Sequence, residues 1–416
     1  MPVFWRWWTA GTASQAGSAV GAVALPLTAL TVLDASPFEM GLVAAAGYLA
    51  WLVLGLPAGV LVQRLPMRGT QVTADLARAA AVASVPLAWW QGVLTVAQLV
   101  AVALVVSVAS VIFDVATATY LPTIVDRDRL QSRNSLNSAT QAATQLGGPS
   151  LGGVAVQALG AVPTLLVDAV SYLVSAALLR TLPARPRTAP AAAATPGGLA
   201  AIREGWRFVT RHPVMAPGMW VATAVNFVCG AQLALYPLYL VRELHAPAAA
   251  VGVLLAAEGA GTLAGAALTP AVARRLGTAR ALVVAAVVAL GGALLIPVGA
   301  GRGAYAAFAA GNVVFAAGVV VLSVTTRTYR QLASPPELLS RVVATVRFVS
   351  WGAIPVGGLL AGTVAGIVGA RWTLVLFAVA AAAAPAVVLR SPIRRLRDLT
   401  DLAVAGPAPV PAAAPR

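Results

Sequence analysis

The feature that most limits what this chain can fold into is a succession of long apolar runs, separated only by short breaks rich in Gly, Pro and Arg. Each run reaches the roughly 20 residues that an α-helix needs to cross the hydrocarbon core of a bilayer. Hydrophobic residues make up 59% of the 416 positions and charged residues 10%. Water could not solvate that much apolar surface on a globule of this size, whereas a bilayer can. Runs at roughly 9–33, 39–62, 70–90, 93–120, 134–160, 163–181, 214–241, 248–272, 279–300, 303–327, 342–368 and 371–390 predict twelve membrane helices. They occupy nearly the whole chain and leave no room for a soluble catalytic domain. The first run, preceded by Trp5, Trp7 and Trp8, reads as an uncleaved span with an aromatic anchor at the membrane interface.

The arginines orient the helices. The chain has 28 of them and no lysine, for a formal net charge of +15. Even-numbered connections carry Arg64 and Arg68; Arg127, Arg129 and Arg133; Arg180, Arg185, Arg187, Arg203, Arg207 and Arg211; Arg274, Arg275 and Arg280; Arg327, Arg330 and Arg341; and finally Arg390, Arg394, Arg395 and Arg397. Odd-numbered connections carry only Arg242, Arg302 and Arg371. The positive-inside rule therefore places the even connections and both termini in the cytoplasm of a bacterial plasma membrane. The basic balance is membrane topology rather than a nucleic-acid surface, so no nucleic-acid partner is expected.

The same inventory removes chemistries. Without lysine there is no Walker A loop and no Schiff base. His212 and His245 fall in separate loops, which leaves no HExxH zinc site and no Ser-His-Asp arrangement. A single cysteine, Cys229, allows no internal disulfide and no multi-cysteine metal site. No enzyme activity, cofactor or metal is expected, and uphill movement of a solute would have to draw on an ion gradient.

The chain repeats itself at half its length. Leu130-Gln131-Ser132-Arg133 recurs as Leu338-Leu339-Ser340-Arg341, 208 residues on. Gly148-Pro149-Ser150-Leu151-Gly152-Gly153 matches Pro355-Val356-Gly357-Gly358, and Gly160-Ala161…Thr164-Leu165 matches Gly369-Ala370…Thr373-Leu374. Six helices per half make this a parallel repeat about an axis along the membrane normal. The expected fold is all-α and integral to the membrane, with twelve transmembrane helices in two pseudo-symmetric six-helix bundles. The units are an N-terminal bundle over 1–182, a cytoplasmic linker with a short interfacial helix over 183–213, a C-terminal bundle over 214–391 and a disordered cytoplasmic tail over 392–416. On the interfacial helix, Trp206 and Phe208 are expected toward lipid.

Three segments resemble the major facilitator superfamily. Leu56-Pro57-Ala58-Gly59-Val60-Leu61-Val62-Gln63-Arg64-Leu65, continuing to Asp75-Leu76-Ala77-Arg78, is similar to its signature between spans two and three. Gln145-Leu146-Gly147-Gly148-Pro149-Ser150-Leu151-Gly152-Gly153 is similar to its fifth-span antiporter signature. Glu204-Gly205-Trp206-Arg207-Phe208 with Arg211-His212-Pro213 resembles the start of the second half in the drug:proton antiporter branch that includes enterobactin and macrolide exporters. The resemblance implies a rocker-switch exporter. Gln63 stands where the first signature usually has an acid, and Thr144 where the second usually begins with Gly. Gln63, Arg64, Arg68, Asp75 and Arg78 are read as a conformational latch at the cytoplasmic surface, because Asp75 and Arg78 share a helix face. Gly148, Pro149, Gly152 and Gly153 are read as a close-packed seam between the halves.

Intramembrane acids are costly and mark function. Glu258 is the one nearest mid-membrane, on a stripe with Thr262, Gly265 and Thr269 that is expected to face a cavity. A carboxyl there can cycle between protonated and ionised forms as access alternates. Glu258 is the first candidate for proton coupling and Asp114 the second, the latter also able to bind a cation. Asp168 reads as a structural hydrogen-bonding group. Gln15, Gln141, Gln145, Gln232, Tyr236, Asn312 and Phe315 are candidate cavity residues. A mostly apolar lining with a few hydrogen-bonding groups suits an amphipathic organic solute. The partners expected are that solute, protons and lipid, around a monomer. The alternatives are an uptake permease or facilitator of the same fold, and a non-transporting lipid scramblase or membrane sensor.

Overall fold

Ala, Leu and Val dominate the runs, and in lipid a helix is the one local structure that satisfies every backbone N–H and C=O within itself. The computed structural model describes residues 3–54, 65–125, 127–183, 198–299 and 301–401, and among these no strand occurs. The first half consists of α1 (Val3–Thr31), α2 (Pro37–Leu54), α3 (Met67–Trp90), α4 (Val96–Ile124), α5 (Arg127–Leu159) and α6 (Ala161–Arg180). A short α7 (Gly198–Arg211) leads into the second half, which consists of α8 (Met215–Leu238), α9 (Ala248–Leu276), α10 (Thr278–Leu295), α11 (Arg302–Ala333), α12 (Pro336–Val368), and α13 (Ala370–Ala381) with α14 (Ala384–Leu389). Together α13 and α14 form the twelfth span, broken at Ala382 and Ala383.

The spans start and stop where local chemistry says they should. At α2, Ser36 and Glu39 form a reciprocal capping box: the Ser36 N–H donates to Glu39 Oε2 at 2.7 Å and the Glu39 N–H to Ser36 Oγ at 3.3 Å. Thr95 caps α4 by accepting from the Gln98 N–H. Gly160 and Gly369 end α5 and α12 with φ of 88° and 84°, a region that glycine enters without steric cost. One turn later Thr164 donates to the Gly160 carbonyl at 2.7 Å and Thr373 to the Gly369 carbonyl at 2.8 Å. The repeat read in the sequence is therefore a repeat of conformation, down to one hydroxyl.

Packing shows the same symmetry. In the first half α1 lies against α5 and α6, α2 against α4, and α3 against α4; in the second half α8 lies against α12 and α13, α9 against α11, and α10 against α11. The halves meet chiefly along two seams, α2 on α12 and α5 on α9, with a smaller contact of α2 on α8. Among the described residues, ten stretches are by themselves long and apolar enough to cross a membrane. Helices α3 and α5 are long enough but too polar by composition, and they run in the bundle between apolar neighbours.

Two peripheral expectations change. The tail is ordered as far as residue 401: Pro392–Arg395 forms a 3₁₀ turn, the Thr278 N–H donates to Asp398 at 2.9 Å, and the Ala279 N–H donates to the Arg397 carbonyl at 3.1 Å. Residues 402–416 lie outside the described residues. On α7, Trp206 is exposed, whereas Phe208 packs against the His212 ring, 5.8 Å between centroids. Its neighbour Val209 is fully buried, and Glu204 pairs with Arg341 of α12, so α7 is fastened to the second half.

Candidate functional site

The helices alternate in direction, so one end of the bundle carries the start of α1 and α5 and the other carries the α1–α2 and α8–α9 turns. The halves are closed at this second end. Gly153 of α5 meets Gly252 of α9 so closely that a Cβ on Gly153 would lie 2.7 Å from the Gly252 Cα and 2.5 Å from the Ala248 carbonyl oxygen. On the other seam a Cβ on Gly41 of α2 would lie 2.7 Å from the Gly358 carbonyl oxygen of α12. A π-helical turn, Tyr239–Glu243, extends α8 and carries Arg242 across to Asp34 of the first half at 2.5 Å and to the Ala35 carbonyl at 2.8 Å. At the end where the chain begins, Asp114, Gln141 and Arg347 are exposed instead. The α5–α9 seam runs from the closed end as far as Gly259 on Leu146, and the α2–α12 contact continues to Gly352 on Leu52.

Between the halves lies a cavity of roughly 510 Å³. Leu25, Tyr48, Trp51, Asp168 and Tyr172 line it from the first half, and Asn226, Gln232, Tyr236, Glu258 and Phe315 from the second. Glu258 is exposed into it, one residue before Gly259, whose Cβ position abuts Leu146 of α5 at 2.7 Å. The carboxylate therefore sits at the edge where the seam ends and the cavity begins. The rest of its stripe does not share that view. Gly265 packs against Ala317 of α11, and Thr269 is buried with its hydroxyl returned to the Gly265 carbonyl. The helix turns these groups onto α11 because Gly261 and Gly265 both pack against that helix.

The candidate cavity residues divide into three groups. Gln232, Tyr236 and Phe315 line the central cavity. Gln15, Gln141 and Gln145 line a vestibule of roughly 280 Å³ in the first half, together with Asp114 and Arg78. Asn312 is only 1% exposed, and its amide donates to the Leu254 carbonyl at 3.5 Å, so it joins α11 to α9 instead of facing a solute.

The fifth-span glycines also divide. Gly148 and Gly152 face Ala19 and Val20 of α1, inside their own half, while Gly153 and the Pro149 carbonyl face Gly252 across the seam. Among the latch residues, Gln63 and Arg64 lie outside the described residues. Arg68 donates to the Leu182 carbonyl at 2.7 Å, at the end of α6. Asp75 and Arg78 do pair, as their spacing predicts, but the pair is deep in the first half: Asp75 is 0% and Arg78 4% exposed. Two turns of helix separate the pair from Arg68, so these groups do not assemble into one surface latch.

What holds Arg78 inside is aromatic. Its guanidinium lies 4.3 Å from the Phe113 ring centroid and 4.6 Å from that of Tyr172. The Tyr172 hydroxyl shares a 2.8 Å hydrogen bond with Ser18 of α1. Asp168, one turn before Tyr172, is 4% exposed and packs beneath Gly21, where a Cβ would run into its carboxylate. It lines the cavity, so it belongs to the site. The sequence reading also missed Tyr48, Trp51 and Arg347. Arg347 could have been found: it lies six residues inside the eleventh span, beyond the belt of arginines at the helix end.

Comparisons with known proteins agree with this fold. The family of transmembrane secretion effectors matches residues 1–413. The multidrug efflux pump Tap of Mycolicibacterium fortuitum is 30% identical over 380 residues, covering 88% of this chain and 89% of that protein. Among solved structures, the nucleoside transporter NupG superposes with a TM-score of 0.73 at 13% identity, covering 94% of this chain and 100% of that one. A bacterial homologue of the iron transporter ferroportin, 16% identical, matches with a TM-score of 0.70 in its inward-facing state (93% and 98% covered) and 0.60 in its outward-facing state (94% and 99% covered).

Proposed function

This chain belongs to the transmembrane secretion effector family of major facilitator transporters, and from that premise we propose that it exports amphipathic small organic molecules by proton-coupled alternating access. The observation that carries the proposal is Glu258: one carboxylate exposed in a largely apolar cavity that both halves line, at the point where the α5–α9 seam ends. A cavity of roughly 510 Å³ is within the range that accommodates a drug-sized solute. Its polar groups are few and mostly neutral, which fits a solute held by shape with a handful of hydrogen bonds. The similarity to a multidrug efflux pump supports export over uptake.

The arginine alternation supports a plasma-membrane orientation with both termini in the cytoplasm. In that orientation the structure is open to the cytoplasm and closed outside, ready to load an export cargo. The higher TM-score against the inward-facing ferroportin homologue supports the same assignment. A carboxylate at the edge of a moving seam meets each side of the membrane in turn, and its protonation sets the cost of burying it. A charged side chain at mid-membrane costs about 3 kcal/mol on insertion scales, enough to bias the closed arrangement toward the protonated form.

The test is drug-susceptibility profiling of a sensitive host with and without the gene, with and without a protonophore. Glu258→Gln should remove gradient-driven export while leaving downhill exchange of the same compound intact. Uphill export that keeps its pH dependence in Glu258→Gln would sink the assignment.

A further inference from the structure

Helix α7 has two opposite faces. Gly205 and Val209 are buried against the second half, while Arg203, Arg207 and Arg211 recur at every fourth residue and are all exposed. At about 100° per residue the two sets point in opposite directions. The buried face fixes the depth of the helix. A Cβ on Gly205 would lie 2.9 Å from Thr345 Oγ1 and 3.0 Å from the Arg341 Cβ, and the membrane-length stretch of α12 begins at Arg341. Helix α7 therefore lies level with the start of a span. Trp206, on the flank between the two faces, is exposed at that level, where an indole suits the headgroup layer.

The arginine face borders an open groove of roughly 970 Å³ between α7 and the start of α12. Arg203, Arg207 and Arg211 supply its charge, and Phe208, Pro213 and Leu338 supply an apolar wall. Glu204 is the one acid among the described residues that line it, and Glu204 already pairs with Arg341. His212 adds no charge. Its Nδ1 accepts from the Val214 N–H at 3.2 Å and the Met215 N–H at 3.3 Å, and burial holds its pKa below the usual histidine value. Among the described residues, none of the three arginines forms an ion pair. An unneutralised row of guanidiniums beside an apolar wall matches a ligand that is anionic at one end and apolar at the other.

We propose that this groove binds an anionic phospholipid of the cytoplasmic leaflet, one that carries two phosphates. The guanidinium fork matches phosphate oxygens in pairs. Successive arginines are about 6 Å apart along the helix axis and the outer two about 12 Å. One phosphate therefore bridges one pair, and two phosphates engage the whole row. The apolar wall takes the glycerol and the start of the acyl chains, at the level where Trp206 meets the membrane. A free phosphate would satisfy the charge and leave that wall unused. The lipid becomes part of the second half, because α7 holds α12 through Arg341 and caps α8 through His212. The inference rests on the membrane orientation proposed above and on no step of the transport cycle.

The experiment uses the full chain in a neutral detergent and measures retained lipid by native mass spectrometry after addition of cardiolipin, phosphatidylglycerol or phosphatidylcholine. Cardiolipin, which has two phosphates and engages a further arginine, should be held about fivefold more tightly than phosphatidylglycerol, and phosphatidylcholine should be released. Arg207→Gln should weaken cardiolipin binding about fivefold. The triple variant Arg203→Gln, Arg207→Gln and Arg211→Gln should hold cardiolipin no better than phosphatidylcholine. Arg274→Gln with Arg275→Gln removes an exposed arginine pair from the same side of the protein and should match the parent. A parent that holds cardiolipin no more tightly than phosphatidylglycerol would overturn the proposal without any variant. So would an equal loss in the Arg274 and Arg275 control, unchanged retention in the triple variant, or displacement of the lipid by inorganic diphosphate at matched concentration. Because the readout is binding, each result leaves the role of Glu258 to be judged by transport alone.

Discussion

Gly153→Ala should shift this protein away from the state in which it is seen. A methyl group at residue 153 would sit 2.5 Å from the Ala248 carbonyl oxygen and 2.7 Å from the Gly252 Cα. Both neighbours are backbone, so neither can swing aside, and relief requires α5 and α9 to part by about 1 Å to reach ordinary contact distances. Overpacking of this kind costs typically about 1–3 kcal/mol. The cost falls only on the arrangement in which the two helices touch, so it becomes a change in equilibrium of roughly 5- to 150-fold toward the alternative. Gly147, on the same helix, has nothing within 4 Å of its Cβ position and is the internal control. Spin labels at the non-cytoplasmic ends of α5 and α9, in the Cys229→Ser background, would read both populations as two distances by pulsed electron paramagnetic resonance. Gly153→Ala should enrich the longer distance, and Gly147→Ala should match the parent. A Gly153→Ala distribution that coincides with the parent, or narrows toward the shorter distance, would refute the claim that this seam opens during the cycle.

Arg78→Ala leaves Asp75 buried without its partner beside a second buried acid, Asp168, and should destabilise the first half by about 3–5 kcal/mol; thermal unfolding in detergent checks this, and Asp75→Asn in the same background should recover part of the loss. Gly277 has φ of 80°, and a Cβ there would run into the Arg397 carbonyl oxygen. Gly277→Ala should therefore cost about 1–2 kcal/mol from left-handed strain alone and release the 396–401 segment, seen as faster protease trimming of the tail.

The fold was legible because its signals are the ones a bilayer imposes: run length, arginine alternation and a repeat that recurs at half the chain. The candidate site was legible only where one residue carries the cost by itself. Glu258 stands alone in an apolar run, and the structure places it in the cavity. The stripe around it was a poorer guide, because a helix face is shared among several neighbours. Gly265 packs on α11 and Thr269 turns its hydroxyl back onto its own helix, although helical spacing puts both in line with Glu258. Asn312 misled for the same reason: a polar side chain in a membrane helix can serve a neighbouring carbonyl as readily as a solute. Trp51 and Tyr48 were invisible because aromatic residues are ordinary members of apolar runs, and only the tertiary arrangement separates the ones facing the cavity from those facing lipid.

The two seams explain why glycine gathers at the α5–α9 and α2–α12 contacts. In the proposed cycle these interfaces are made and broken, and each has to re-form without slow repacking. Side chains that interdigitate must settle into rotamers each time the halves meet, and each one loses conformational entropy on doing so. Backbone laid directly on backbone has no rotamers to order, and its close approach gains dispersion contact in a solvent that offers no hydrophobic drive between helices. Gly153 on Gly252 and Gly41 on Gly358 are contacts of this kind. What such seams lack is a means of choosing which end of the molecule is shut, since a glycine contact has no charge and responds to no ligand. The ion pair between Asp34 and Arg242 supplies that choice at the closed end. The polar helices α3 and α5 fit the same division. They are too polar to be stable in lipid alone, and they carry the buried Asp75–Arg78 pair and Gln141 and Gln145 of the vestibule. Apolar spans supply the scaffold and glycine the close-packed seams, and in the proposed cycle the charges at the ends of the seams are the groups on which a proton or a cargo would act.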